Sequence, residues 1–85
     1  MMTVTFHQRA FKEYQEWAME DKKVFAKING FIKEIYRTPF EGTGQPEPLK
    51  HDLSGCWSRH ITKEHRLVYV IEKETLVIIS CKYHY

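Results

Sequence analysis

The stretch GTGQPEPLKHDLSGCWSRHITKEHRLVY, from Gly42 to Tyr69, decides how the rest of the chain must fold. Gly42, Gly44, Pro46 and Pro48 fall within seven positions, a composition that resists both helix and strand. Gly55 to Thr62 then reads as a strand, with Trp57, Arg59 and Ile61 on one face and Cys56, Ser58, His60 and Thr62 on the other. His65 to Ile71 is a second strand, with Leu67, Tyr69 and Ile71 facing one way and Arg66, Val68 and Val70 the other. Thr62-Lys63-Glu64 is short enough to make them a hairpin. Glu47, Lys50, His51, Asp52, Arg59, His60, His65 and Arg66 are set among these apolar residues. Chemistry tends to sit on loops held by a rigid scaffold, so the site is expected here.

Downstream, Glu72 to Thr75 makes the next turn, and Leu76 to Tyr83 or beyond is a third strand. Its alternation sets Val77, Ile79, Cys81, Tyr83 and Tyr85 against Leu76, Ile78, Ser80, Lys82 and His84. Upstream, Met2, Val4 and Phe6 alternate with Thr3 and Thr5 in a short strand. Gln8 to Glu20 reads as a helix burying Phe11, Tyr14, Trp17 and Ala18, with Lys12 and Glu16 paired outside. Asp21 caps a second helix that runs to about Tyr36 and buries Val24, Ile28, Phe31, Ile32 and Ile35. Gly30 inside it marks close packing, and Pro39 stops it by disfavouring the α conformation at Thr38.

The order is strand, two-helix hairpin, then a three-stranded antiparallel meander: an α+β fold of two layers, with helices on one sheet face. Eighty-five residues make one domain, residues 1–85. The polar end of the open face, with Ser58, His60, Arg66, Lys82 and His84, lies beside the Pro/Gly-rich loop.

The net charge of +2 excludes a cationic field over the whole surface, so any RNA site must be a local cluster. No basic region precedes an apolar run at the N-terminus, and no apolar run approaches membrane-spanning length. Cys56 and Cys81, 25 positions apart, read as small hydrophobes in a reducing cytosol. No metal site is expected: His60, His65 and His84 fit no zinc spacing. No cofactor fingerprint or serine-hydrolase elbow occurs.

Glu47, Arg66 and His84 could together run metal-free RNA cleavage. A carboxylate takes a proton from a hydroxyl, an imidazole gives one to a leaving group, and a guanidinium holds phosphate and growing negative charge. The substrate's 2′-hydroxyl would attack its adjacent phosphate, leaving a 2′,3′-cyclic phosphate and a 5′-hydroxyl. Lys50 would add charge, and Tyr85 would stack on a base. Each residue also has a plainer reading: a solvated loop acid, a surface arginine, a chain-end histidine.

The run from Pro39 to Tyr69 contains P-F-E-G-x-G-x-P-E-P-L-K, L-S-G-x-W-S-R and E-H-R-L-V-Y, and the chain ends in Y-H-Y. With these motifs it resembles, over essentially its whole length, the YoeB/Txe toxins of the RelE superfamily, which are bacterial toxin–antitoxin proteins that cleave messenger RNA on the ribosome. The resemblance implies a microbial-ribonuclease-like fold. It places the general base at Glu47, the transition-state arginine at Arg66, the general acid at His84, the terminal tyrosine at Tyr85 and the loop lysine at Lys50. Many members have Arg-Arg after W-S, and this chain has Arg59-His60, both read as substrate-binding. His60 shares the face of Arg66, so phosphate binding is expected to be weaker or more pH-dependent there. The resemblance also implies a YefM-like antitoxin, binding at the ribosomal A site, often a homodimer, and a cytoplasmic location without a membrane. The alternative is a non-catalytic binding module for RNA or antitoxin.

Overall fold

The computed structural model describes residues 2–83. Two antiparallel helices pack on one face of a five-stranded sheet. The elements are β1 (Thr3–Phe6), α1 (Gln8–Glu20), α2 (Lys22–Arg37), β2 (Glu47–Pro48), β3 (Trp57–His60), β4 (Arg66–Glu72) and β5 (Thr75–Ser80). A 3-10 turn, His51–Leu53, lies between β2 and β3. The sheet order is β1-β5-β4-β3-β2. The meander β3-β4-β5 is antiparallel as expected. Two further strands extend it: β1 joins β5 in parallel, and β2 pairs antiparallel with β3. The Pro/Gly-rich stretch thus contains a strand after all, of only two residues and on the sheet edge, where Pro48 costs no ladder bond.

Asp21 caps α2 as its sequence position implies, its Oδ1 accepting from the Lys23 and Val24 amides at 3.0 and 3.2 Å. The buried stripe of α2 is Val24, Ile28, Phe31, Ile32 and Ile35. It meets Leu67, Tyr69, Leu76 and Ile78 from the sheet in one core. Gly30 departs from expectation: a Cβ there would meet nothing within 4 Å, so it is not a close-packing glycine.

Helix α1 is turned from its expected face. Phe11 is 49% exposed, while Ala10, Glu13 and Trp17 are buried. The cause is an acid that the apolar pattern does not register. The Glu13 carboxylate accepts the Cys81 amide at 2.7 Å, and the Trp17 indole donates to the Cys81 carbonyl at 2.8 Å. Glu16, expected to pair with Lys12, instead binds Lys82 at 3.1 Å, and Glu20 binds the same ammonium at 3.0 Å.

A register shift between Val68 and Tyr69 makes this docking possible. Tyr69 pairs with Ile78 but Val68 pairs with Ser80, so β5 carries one extra residue. The alternation of β5 reverses beyond it. Cys81 joins Leu76 and Ile78 on the core side, and Lys82 goes to α1 instead of the open face. Burial pushes the Cys81 thiol up to about 12, so it stays protonated, and both cysteines are free thiols.

Arg59 is the most consequential buried residue. It was expected to bind substrate, but its side chain is fully buried on the helix side of β3. One terminal nitrogen donates to Glu34 and to the Thr43 carbonyl, and the other to the carbonyls of Thr38 and Glu41 at 2.9 and 3.0 Å. Its Nε donates to the Tyr69 hydroxyl at 3.2 Å, which passes a bond to the Pro39 carbonyl at 2.7 Å. With its donors committed, Arg59 cannot also bind a phosphate; its role is to hold the 38–43 loop.

Breaking a buried ion pair from one side typically costs about 3–5 kcal/mol, because the remaining acceptors lose their partner. Arg59→Leu is expected to lose stability of that order in urea unfolding. Arg59→Lys should recover little of it, since one ammonium cannot serve acceptors spread around a planar fork. The Thr43 amide and the Arg59 guanidinium hold Glu34 below the ordinary carboxylate range despite an opposing desolvation cost. A lowered folded-state value contributes stability above the unfolded pKa and loses it as pH falls through the folded one. The stability gap between wild type and Glu34→Gln should therefore be full near neutrality and close as the carboxylate protonates at acid pH.

Candidate active site

The open face of the sheet collects the polar residues. Glu47 pairs with Ser58, Ser58 with Val68, and His60 with Arg66. Directly paired residues project to the same face, as do residues two apart in a strand. Glu47, Ser58, His60 and Arg66 therefore lie on one face, opposite Arg59. Strand spacing and rise put the Cα atoms of Glu47 and Arg66 about 12 Å apart, two strands across and two residues along. A separation of that size can accommodate a phosphodiester between the two side chains. Under them lie the buried Val68, Val77 and Ser80.

Glu47 sits exposed on β2 between Pro46 and Pro48, whose rings fix φ on both sides of it. Two glycines deliver the chain to this point. Gly42 and Gly44 have φ of 123° and 80°, in the left-handed region. A Cβ on Gly44 would stand 2.7 Å from the Phe31 ring and 3.1 Å from Arg59 Cβ, so the loop lies directly on the core. The Gly44 carbonyl accepts the His60 amide at 2.7 Å, which ties the loop to the end of β3. The position of Glu47 is thus set through Arg59 and its loop as well as through its own pairing with Ser58.

Lys50 is exposed and opens the 3-10 turn. A groove of about 290 Å³ is lined by Glu47, Pro48, Leu49, Lys50, His51 and Leu53. His51, at φ 59°, completes its wall. It is polar and noted in the sequence, but no spacing there gave it a role. A larger groove, about 440 Å³, lies between α2 and the loop beside Lys33 and Arg37, away from Glu47.

Arg66 is half-buried at the start of β4. Its Nη1 donates to the carbonyls of Thr62, Lys63 and His65 at 2.9–3.1 Å. Among the described residues, the guanidinium's hydrogen bonds all leave from that nitrogen. The Nε–Nη2 edge is the one suited to a bidentate phosphate contact. His84 and Tyr85, expected as acid and positioning tyrosine, lie outside the described residues. Just before them, the Tyr83 carbonyl accepts the Arg66 amide at 2.9 Å and the Tyr83 amide donates to His65 Nδ1 at 2.7 Å. No motif in the sequence singled out His65 for this, because its partner lies 18 positions away.

The family model for the YoeB-like toxin of bacterial type II toxin–antitoxin systems matches residues 6–85. The toxin YoeB of Escherichia coli K12 is 51% identical over 84 residues, covering 99% of this chain and all of that protein. The YoeB–YefM complex from Staphylococcus aureus superposes with a TM-score of 0.92 at 44% identity, over 100% of this chain and 99% of the other. The YoeB dimer from the same organism superposes at 0.92 with 46% identity, over 99% and 98%.

Where the resemblance leads one to expect a second arginine, His60 stands on the same face as Arg66. His60→Arg is expected to add one permanent phosphate contact. For a single-stranded RNA, each such contact steepens the slope of log affinity against log salt by about 0.7. Titrating a model oligoribonucleotide with wild type and variant across salt concentrations at one fixed pH checks this. An unchanged slope would place position 60 off the RNA path.

Proposed function

The chain belongs to the YoeB-like toxin family of bacterial type II toxin–antitoxin systems, and from that footing we propose how its open sheet face works as a ribosome-dependent messenger-RNA endoribonuclease. The observation that carries the reading is that the fold brings Glu47, His60 and Arg66 to one face although they come from three different strands. Glu47 takes the proton of the substrate's 2′-hydroxyl. The resulting oxygen attacks the adjacent phosphorus, and Arg66 holds the phosphate oxygens as their negative charge grows. His84 gives a proton to the departing 5′-oxygen. The products are a 2′,3′-cyclic phosphate and a 5′-hydroxyl. Side chains supply every proton and charge in this sequence, so it needs no metal. Lys50 and His60 add attraction for the RNA backbone.

The stiffness of the loop matters as much as its acid. A general base earns its rate through alignment, and a loop free to wander loses it. Pro46 and Pro48 restrict the backbone at Glu47, and the Arg59 network restricts the approach to it. The toxin is proposed to act in the cytoplasm, where ribosomes and messenger are; no helix among the described residues is long and apolar enough to cross a membrane. By analogy with the relatives, a YefM-like antitoxin would neutralise it and two copies would associate.

Mapping messenger 5′ ends in a translation reaction tests the activity: new ends should appear with the protein and vanish without ribosomes. Glu47→Gln and His84→Ala should each lose about 10²–10⁴-fold in cleavage rate, the usual contribution of a general acid or base. Both should still associate with ribosomes, because Lys50 and Arg66 remain. Wild-type cleavage by Glu47→Gln would move the general base elsewhere. Ribosome binding by the wild type without any cleavage would favour a non-catalytic binding module.

A further inference from the structure

His65 has no part in the chemistry above, yet it is the residue that holds the chain's last described turn. Its Nδ1 accepts the Tyr83 amide at 2.7 Å. An accepting Nδ1 carries a lone pair, so the ring proton sits on Nε2, which faces Glu64 at 3.8 Å. The ring is clamped. Trp17 meets it edge-on at 4.8 Å between centroids, and the Tyr83 ring lies 5.2 Å away on another side. The backbone of His65 is fixed too, its amide donating to Thr62 Oγ1 at 3.1 Å. Only 12% of its side chain is exposed.

The object held is unusual. Tyr83 has φ of 62°, a left-handed conformation that is unfavourable for a non-glycine residue and persists only where the surroundings enforce it. Two hydrogen bonds do so: the Tyr83 amide to His65, and the Arg66 amide to the Tyr83 carbonyl. Tyr83 is thereby locked to the residue pair His65-Arg66, one of which carries the transition-state charge.

We propose that His65 is a positioning residue for cleavage: its Nδ1, by capturing the Tyr83 amide, holds the turn at Tyr83 against Arg66, immediately before His84 in the sequence. This rests on the reading of His84 as the general acid. It requires an acceptor at the δ position of residue 65 and not merely a ring of suitable shape.

Two variants of similar polarity separate those requirements. The Oδ1 of His65→Asn occupies the place of Nδ1, while the Oε1 of His65→Gln occupies that of Nε2. Both lose the ring against Trp17, so any loss from packing alone affects them alike. Single-turnover cleavage of messenger on saturating ribosomes should stay within a few-fold of wild type for His65→Asn and fall roughly 10–100-fold for His65→Gln, the order seen when a catalytic group is misplaced by about 1 Å. Ribosome affinity should be unchanged in both. In ¹⁵N-labelled protein the Tyr83 amide should keep its slow hydrogen exchange in wild type and His65→Asn and exchange faster in His65→Gln. Equal cleavage by the two variants, or equal Tyr83 protection, overturns the proposal. His84→Ala run in parallel separates this from failure of the underlying reading: wild-type cleavage by His84→Ala would overturn the acid assignment, and the positioning role with it, whatever the Tyr83 amide does.

Discussion

A single buried guanidinium holds this molecule's working face in place. Arg59 lies in the core on the helix side of β3, its Cζ 5.9 Å from the centroids of the Phe31 and Tyr69 rings. Its hydrogen bonds run to Glu34 on α2, to Tyr69 on β4 and to three carbonyls of the loop that leads to Glu47. A charge this deep must be fully partnered, or it would cost more than the core gains. The partners it requires belong to α2, β4 and a loop with no regular structure of its own. Satisfying Arg59 therefore forces the loop against the core, and the loop carries the proposed base to the opposite sheet face. The site depends on a residue that never touches it.

The end of the chain is governed by a comparable constraint. One extra residue in β5 turns Cys81 inward and sends Lys82 to α1. Glu13 and Trp17 then capture both backbone groups of Cys81, and Glu16 and Glu20 hold the Lys82 ammonium. The Glu20 hydrogen bond, with Glu16 assisting, keeps that ammonium's pKa above the ordinary lysine value. Helix α1 thus serves as the dock for the C-terminal segment as well as a cover for the core. The loop before β2 and the segment after β5 are separated by more than thirty residues, and each is fixed by polar contacts to a different helix.

Much of this was legible in the residues themselves. The α2 stripe recurs at helical spacing, and Asp21 precedes it where an N-cap must stand, so both the helix and its buried face follow from local rules. The alternation of β3 and β4 correctly separated Arg59 from His60 and Arg66. Reading Arg59 as substrate-binding went against that alternation: the face it shares with Trp57 and Ile61 is the one the helices cover. The α1 face was misjudged because apolar periodicity counts Phe11 and cannot count a buried acid such as Glu13.

The sequence by itself determined the order of the helices and longer strands, the two-layer α+β architecture and the family, because periodicity, capping and turn residues act within a few positions of one another and motifs are read directly. Only the tertiary structure decided the strand neighbours at both sheet edges, the bulge that reverses β5, the burial of Arg59 and the Tyr83–His65 contact. Each of these is a hydrogen-bond choice between residues far apart in the chain. Local pattern cannot make such a choice, because it is settled by which distant polar groups must be satisfied together once the core has closed.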